Sequence, residues 1–196
     1  MGIMSTSSSW TNSMKDATLL RSEVLLPRPK RFMKEVLRMR DGHEIDWYYV
    51  DTRPSVMVVP VTADGNVVMV KQYRHNLKLE TLELPAGVAG EDEPAASAAL
   101  RELEEETGYS LPDGIEPQPL GRFYALPSET NKYVHIFLAT PVVAVGAPQG
   151  DTEIEKYFAM SVVQMPFLQA LASIGDSIRG LETAGALLLA SKQLNR

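Results

Sequence analysis

The sequence predicts a mixed α/β (α+β) domain. Two valine-rich runs, Val56–Thr62 and Val67–Gln72, are joined around Asp64-Gly65, which is typical of two strands that begin a central sheet. A helix is expected from Pro94 to Thr107, and strand-like and helical stretches follow it along the chain. This mixture of strands and helices favours an α/β arrangement over an all-helical or all-strand fold.

The N-terminal part of the chain has a strand pattern of its own. The runs that alternate or cluster apolar residues there are Glu23–Leu26, Phe32–Met39 and Glu44–Val50. Asp41-Gly42 is a typical hairpin turn. Pro54 follows this region, so we expect it to separate an N-terminal antiparallel element, residues 19–53, from a main domain, residues 54–196. Residues 1–18 are Ser-rich and are expected to form a disordered leader.

The helix expected at Pro94–Thr107 has signals at both ends. Glu93-Pro94 precedes its first turn, and Gly108 stands where a C-terminal cap belongs. Ala96, Leu100 and Leu103 recur at helical spacing and are expected to form its buried stripe. The later elements are expected at Leu120–Tyr124, Tyr133–Thr140 and Tyr157–Val163 for strands, and at Met165–Ser173 and Ser177–Leu194 for helices.

Composition excludes several classes of protein. The hydrophobic fraction of 44% and the charged fraction of 22% are those of a globular chain, and 196 residues can bury a sizeable core. The chain has no cysteine, which excludes disulfides and thiolate metal sites. His43, His75 and His135 share no ligand spacing, so zinc is not expected.

Charge and hydropathy exclude polymeric and membrane partners. The net charge is −6, and the basic stretch Arg21–Arg40 is interrupted by prolines and acidic residues, so no nucleic acid polymer is expected as a partner. No apolar run approaches the ~20 residues of a membrane span. The N-terminus has no apolar core typical of a secretory signal, so we expect a cytoplasmic protein.

Three glutamates lie together on the polar face of the expected helix. Glu102, Glu105 and Glu106 are spaced i, i+3 and i+4, which gathers their carboxylates within a narrow arc. Their mutual repulsion weakens an isolated helix, and a divalent cation removes that penalty, because hard oxygen ligands suit Mg²⁺ or Mn²⁺. Taken alone, the same pattern also fits a solvated acidic face.

The surrounding segment resembles the sequence signature of the Nudix hydrolase family. Residues 87–109 read GVAGEDEPAASAALRELEEETGY. The signature is a Gly, five residues, a Glu, seven residues, and then Arg-Glu-apolar-x-Glu-Glu-x-Gly-apolar. The positions that match are Gly87, Glu93, Arg101, Glu102, Leu103, Glu105, Glu106 and Gly108. Tyr109 departs from the usual aliphatic final residue.

Further motifs are similar to the branch of the family that acts on ADP-ribose and nucleoside diphosphate sugars. They are Gln72-Tyr73-Arg74, the Leu82–Gly87 run LELPAG and the Pro127–Leu138 run PSETNKYVHIFL. The resemblance implies the Nudix fold, a mixed sheet sandwiched between helices, preceded by the N-terminal antiparallel element. Members of this branch often exchange such an element across a homodimer, so a homodimer is expected.

The resemblance also implies residue roles around the metal. Glu102, Glu105 and Glu106 are expected to bind Mg²⁺ or Mn²⁺ together with the backbone carbonyl of Ala86. The box residues with an expected structural role are Gly87, Glu93, Arg101 and Gly108. The bound metals are expected to offset the charge of the diphosphate and to lower the pKa of an attacking water.

A general base completes the expected mechanism. By resemblance it lies on a loop well after the box, where Glu153 and Glu155 stand, and Glu153 is the preferred candidate. An ordinary polar loop remains the alternative reading of that segment. Some family members use a box glutamate as the base, which here indicates Glu105.

Substrate contacts are expected from residues outside the box. Arg74 suits phosphate oxygens because a guanidinium can bind them through two hydrogen bonds, with a surface salt bridge as the alternative. Arg53 is a weaker candidate of the same kind. Glu83 is expected to contact a ribose or the metal shell, or else to form a structural pair. Trp47 offers a ring for nucleobase stacking, although an aromatic residue in a strand is more often core or interface.

These observations predict a metal-dependent pyrophosphohydrolase. The expected substrate is ADP-ribose or a related nucleoside diphosphate sugar, with a nucleoside monophosphate and a sugar phosphate as products. The alternatives are another Nudix substrate, such as GDP-mannose or coenzyme A, and a Nudix module that binds a nucleotide without hydrolysing it. The intact box argues against the binding module.

Overall fold

The computed structural model describes residues 17–27, 30–149 and 160–195. It divides into two compact units, one from Met1–Thr52 with Leu126–Lys132 and one from Arg53–Ala125 with Tyr133–Arg196. Most of the expected N-terminal leader lies outside the described residues. None of the helices in the described ranges is long and apolar enough to cross a membrane.

The first unit contains a three-stranded antiparallel sheet in the order β1-β2-β3. The strands are β1 (Thr18–Leu26), β2 (Arg31–Arg38) and β3 (Glu44–Asp51). Every residue of β1 is exposed in the single chain, including five large aliphatic side chains. The 126–132 segment joins this unit through backbone pairing, since the Val50 N–H donates to the Glu129 carbonyl at 2.9 Å.

The second unit is built on a mixed sheet whose main path runs β11-β5-β4-β10-β8. Its strands are β4 (Ser55–Thr62), β5 (Asn66–Arg74), β6 (Leu79–Glu83), β7 (Ala86–Val88), β8 (Tyr109–Ser110), β9 (Gln118–Tyr124), β10 (Tyr133–Ala144) and β11 (Ser161–Pro166). Its helices are α1 (Ala95–Thr107), α2 (Phe167–Ala172) and α3 (Leu181–Gln193). β4 and β10 run parallel, and the other pairs are antiparallel.

The sheet is buried on both faces, which explains why its central strands are continuous runs of valine. Alternate residues of β4 point to opposite layers, with Val56 and Val58 packed on the α1 side. Met57 and Val59 pack on the other side. Helix α1 contributes Leu103 to the first layer. The α2 and α3 residues in the second layer are Phe167, Ala170, Ala186, Leu187 and Ala190. The prediction of a mixed sheet between helices is therefore confirmed.

Several local predictions differ from the structure. The buried stripe of α1 centres on Ala98, Ala99 and Leu103, whereas Ala96 and Leu100 are only partly buried. Residues 157–159 of the strand expected at Tyr157–Val163 lie outside the described residues. Strand β11 continues through Pro166, where it still pairs with β5, so the following helix starts at Phe167 and not at Met165. Strands β6, β7 and β8 are too short to produce a clear periodic pattern in the sequence.

Candidate active site

The candidate site lies where β4 and β5 separate. After their turn these strands pair only at Val61 and Val67. Further along, β6 pairs with β5 and β7 pairs with β4, so Leu84-Pro85 crosses from one strand to the other. The Pro85 carbonyl accepts a 3.0 Å hydrogen bond from the Val58 N–H, which fixes this crossing segment against β4.

Helix α1 ends at a glycine that the fold requires. Gly108 adopts a left-handed conformation, with φ of 71°, and its N–H donates to the Glu104 carbonyl. A Cβ at this position would lie 2.3 Å from the Gly146 carbonyl oxygen. The backbone of residues 145 and 146 also bonds to the Gly108 carbonyl. Gly108 therefore caps the helix and allows the chain after β10 to pass close to its end.

Glu102 and Glu106 face the backbone of β7. The Ala86 N–H donates to Glu106 Oε2 at 3.1 Å. The Glu102 carboxyl lies against Gly87 so closely that an added Cβ would be 2.0 Å from the carboxyl carbon. The two glutamates are one helical turn apart, so both carboxylates reach the same short stretch of exposed main chain.

Arg101 connects α1 to the loop before it. Its Nε donates to Glu93 Oε1 at 2.9 Å and its Nη2 donates to Oε2 at 3.1 Å. Glu93 Oε2 also accepts a 2.7 Å hydrogen bond from the Gly90 N–H. The Arg101 guanidinium holds the pKa of Glu93 below its ordinary value, and the Gly90 N–H adds to that effect. Glu93 thereby bridges the loop backbone and the helix.

The same guanidinium also holds two of the expected metal ligands. Arg101 Nη1 lies 2.9 Å from Glu102 Oε1 and 2.8 Å from Glu105 Oε2. Glu93 raises the pKa of Arg101 most strongly, and Glu102 and Glu105 add to the increase. One cation therefore offsets the repulsion among neighbouring carboxylates, which would otherwise weaken the helix.

Glu102 links the other two expected metal ligands in the structure. It faces Ala86-Gly87 together with Glu106, and it shares Arg101 Nη1 with Glu105. Within the described ranges, no three His, Asp or Glu side chains are already arranged as a metal site. The chemistry of the donors still fits a hard divalent cation, because all are oxygens and Gly87 leaves the space beside Glu102 free of a side chain.

Arg74 and Glu83 form a second polar group at the separation of the strands. Arg74 Nε donates to Glu83 Oε1 at 2.9 Å, and Arg74 Nη2 bonds Oε2 of the same carboxylate. Glu83 raises the pKa of Arg74, with smaller contributions in the same direction from Glu106 and Glu182. Glu106 of α1 is therefore close enough to Arg74 to affect its pKa.

The remaining candidates from the sequence are Trp47, Arg53, Glu153 and Glu155. Trp47 lies in the first unit and is 48% exposed. Arg53 is exposed just before β4. Glu153 and Glu155 lie outside the described residues.

Helix α3 contributes residues that the sequence did not indicate. Thr183 is buried, and its Oγ1 lies 3.4 Å from the Leu84 N–H. Glu182, in the first turn of α3, is close enough to influence the pKa of Arg74. An acidic residue near a helix start is a common capping preference, so only the tertiary fold shows where this one lies.

Comparison with known proteins agrees with this fold. The family model described as the NUDIX domain matches residues 51–178. An ADP-ribose pyrophosphatase of Bacillus subtilis (strain 168) is 32% identical over 127 residues, which are 65% of this chain and 67% of that protein. An ADP-ribose pyrophosphatase of Mycobacterium tuberculosis (strain ATCC 25618 / H37Rv) is 31% identical over 159 residues, 79% of this chain and 73% of that protein.

A solved structure shows the same fold. The crystal structure of an ADP compounds hydrolase matches with a TM-score of 0.77 at 22% identity, and covers 92% of this chain and 95% of that chain. Together with the family match, these findings show that the chain belongs to the Nudix family and is a Nudix hydrolase. Enzymes of this family generally use divalent metal ions.

The bare backbone at Gly87 gives the first prediction. Gly87→Ala places a Cβ in the volume of the Glu102 carboxyl, so that carboxylate has to move. We expect at least about a tenfold loss of kcat/KM in a hydrolase assay, because a displacement near 1 Å in a reacting site has a large effect. Gly185→Ala is the matched control, since its Cβ meets nothing within 4 Å. Equal activity of the Gly87→Ala and control variants would contradict the assigned position of Glu102.

The Glu93–Arg101 pair predicts a dependence of stability on pH. Because the folded-state pKa of Glu93 lies below its ordinary value of 4.5, its ionised form stabilises the fold above that pH. We expect Glu93→Gln to unfold at lower urea concentration near neutral pH, and the difference from wild type to shrink as the pH falls below 4.5.

Glu91→Gln serves as the control for this measurement. Glu91 is exposed on the same loop and makes no ion pair within the described part of the chain. Its substitution should change the urea midpoint less than Glu93→Gln near neutral pH. If the difference in urea midpoint between wild type and Glu93→Gln stays the same at acidic pH, the charge on Glu93 does not stabilise the loop.

Proposed function

We propose that this protein hydrolyses the pyrophosphate bond of ADP-ribose or a related nucleoside diphosphate sugar, with Mg²⁺ or Mn²⁺ as cofactor. The observation that carries the proposal is the approach of Glu102 and Glu106 to the bare backbone of Ala86-Gly87, within electrostatic reach of Arg74. The names of the relatives support the substrate class, since two of them are ADP-ribose pyrophosphatases.

Glu102, Glu105 and Glu106 are the carboxylates that would hold the metal, together with the Ala86 carbonyl. When bound, the metal supplies positive charge that offsets the diphosphate and lowers the pKa of an attacking water. Glu102 and Glu105 both contact Arg101 Nη1 in the structure, and these contacts would weaken when the two carboxylates bind a metal. The two hydrogen bonds from Arg101 to Glu93 use other nitrogen atoms, and they join the helix to the loop before it.

Arg74 is the proposed phosphate-binding residue. Its side chain is 45% exposed, and Glu83 accepts hydrogen bonds from its Nε and Nη2. Within the described ranges Nη1 has no hydrogen-bond partner, so its two N–H groups are available for phosphate oxygens. Arg53 is a second proposed phosphate contact. The pairing of Glu83 with Arg74 favours a supporting role for Glu83 over direct contact with ribose.

The general base and the nucleobase contact are also proposals. Glu153 is the preferred base, with Glu155 next to it in the chain. Glu105 is the alternative among the box glutamates, and its carboxylate pairs with Arg101 in the structure. Trp47, exposed on β3, is the proposed ring for stacking on the nucleobase.

A turnover assay tests the proposed reaction. The panel is ADP-ribose, ADP-glucose, GDP-mannose, UDP-glucose and coenzyme A, with Mg²⁺ or Mn²⁺, and release is measured as phosphate after phosphatase treatment. We expect ADP-ribose or another nucleoside diphosphate sugar to turn over. We expect Glu106→Gln to lower kcat by at least about 100-fold, because it weakens electrostatic stabilisation of the transition state.

Glu104→Gln is the matched control on the same helix. Glu104 is exposed and lies outside the box positions that carry metal ligands, so its substitution should leave kcat within about twofold of wild type. Chelation of the metal with EDTA should abolish turnover of every substrate. Absence of turnover in any metal would refute the hydrolysis of this substrate class and favour a nucleotide-binding role.

We further propose that the protein is a homodimer formed through the three-stranded sheet of the first unit. Among the described residues β1 pairs with β2 alone, and its nine residues are exposed in the single chain. The apolar side chains on this strand are Leu19, Leu20, Val24, Leu25 and Leu26. A long apolar edge strand invites pairing with another chain, and a second copy buries that edge.

Light scattering tests the homodimer. We expect the wild-type protein to have about twice the 21.6 kDa mass of one chain. Introducing two charges on β1, as Leu19→Glu with Leu26→Glu, should shift the mass to that of one chain, because the apolar contact is lost. Leu168→Glu is the control, since Leu168 is 60% exposed on α2 of the other unit. A wild-type monomer, or a dimer that survives the β1 changes, would contradict the proposal.

A further inference from the structure

We propose that Thr81 and Gln72 are positioning residues that hold Arg74, through Glu83, in the orientation that binds substrate phosphate. The proposal rests on the proposed function of Arg74 and adds to it the residues that determine its geometry. It concerns the hairpin of β5 and β6, which carries all four side chains.

The strand register places these residues on one face of the hairpin. Gln72 and Thr81 are direct cross-strand partners, Arg74 is two residues beyond Gln72, and Glu83 is two residues beyond Thr81. Side chains two apart in a strand share a face. Arg74 is opposite Leu79, so it reaches Glu83 only by extending across the Gln72–Thr81 pair.

Both oxygens of Glu83 are fixed by this group. Thr81 Oγ1 donates to Oε1 at 2.6 Å, and Gln72 Nε2 donates to Oε2 at 3.3 Å. Thr81 is itself partly buried, and its hydroxyl also lies 3.3 Å from the Gln72 carbonyl. The carboxylate therefore has a defined orientation, and it passes that orientation to Arg74 through two parallel hydrogen bonds.

Arg74 needs such support because it is exposed. An ion pair made by a side chain that is 45% exposed contributes little stability by itself, and it leaves a long side chain free to move. Ordering a mobile side chain when the substrate binds costs free energy, and a side chain that is already ordered avoids this cost. A carboxylate held by Thr81 and Gln72 supplies the ordering before the substrate arrives.

The opposite face of the same hairpin provides an internal comparison. Lys71 and Glu80 form another diagonal ion pair there, at 2.6 Å, with both side chains well exposed. Glu80 is next to Thr81 in β6, but its side chain points away from Arg74 because successive residues of a strand face opposite sides. Glu80→Gln therefore removes an ion pair from the hairpin without touching the Glu83 group.

Steady-state kinetics with ADP-ribose form the first part of the test. We expect Thr81→Val to raise KM by about threefold to tenfold with kcat within about twofold, as expected for loss of binding that is equal in ground and transition states. Gln72→Leu should act in the same direction and more weakly, since its hydrogen bond is longer. Thr81→Ser, which keeps the hydroxyl, and Glu80→Gln should both stay within about twofold of wild type.

A double-mutant comparison shows whether Thr81 acts through Arg74. In an Arg74→Ala background, Thr81→Val should cause no further increase in KM, because the side chain that it orients is missing. If Thr81→Val raises KM by the same factor in both backgrounds, Thr81 has a general structural role and the proposal is overturned. An unchanged KM in the single Thr81→Val variant overturns it as well.

Side-chain NMR separates this proposal from the proposed reaction. In protein labelled with ¹⁵N-arginine, the Arg74 Nε–H signal is assigned by its loss in Arg74→Lys, and its order parameter is measured without substrate. We expect the order parameter to fall in Thr81→Val and to recover in Thr81→Ser. An unchanged order parameter in Thr81→Val refutes the positioning role, even if ADP-ribose turns over. Absence of all turnover refutes the proposed reaction, and the order parameter then still decides the role of Thr81.

Discussion

The close approach of the α1 carboxylates to the bare backbone of Ala86 and Gly87 is the constraint on which the rest of the site depends. It requires β4 and β5 to separate, since only then can the chain between β6 and β7 present its backbone to the helix. It also requires a residue without a side chain at position 87. Packing of Leu103 beneath α1 holds the helix at that distance, so the hydrophobic layer and the polar site form one arrangement.

Charge balance is the second requirement of this arrangement. Carboxylates gathered on one turn of a helix repel each other, and Arg101 offsets that repulsion by contacting Glu102 and Glu105. Glu93 in turn fixes Arg101 to the preceding loop. On the other side of the site, Glu83 pairs with Arg74. Arg101 and Arg74 thus both have acidic partners in the protein, and these partners order the two guanidinium groups.

The valine-rich runs predicted two strands of the central sheet, whereas the arrangement of that sheet between helices was expected only from the resemblance to the Nudix family. The sequence also predicted the end of α1, since Gly108 is a strong local signal. The short strands β6 and β7 and the position of Glu182 could not be predicted. Each of them is set by tertiary packing between distant segments, which leaves no periodic pattern in the chain. The register of β5 on β6, which brings Arg74 to Glu83, could not be predicted for the same reason.

Binding of Mn²⁺ to the substrate-free protein tests the central claim most directly. The electron paramagnetic resonance signal of free Mn²⁺ gives the dissociation constant for wild type and for the Glu102→Gln, Glu106→Gln and Glu104→Gln variants. If Glu102 and Glu106 are metal ligands, the first two variants should bind Mn²⁺ at least about tenfold more weakly than wild type. Glu104→Gln should bind Mn²⁺ as tightly as wild type. Equal affinity in all four proteins would contradict the assignment of Glu102 and Glu106 as the metal-binding face of α1.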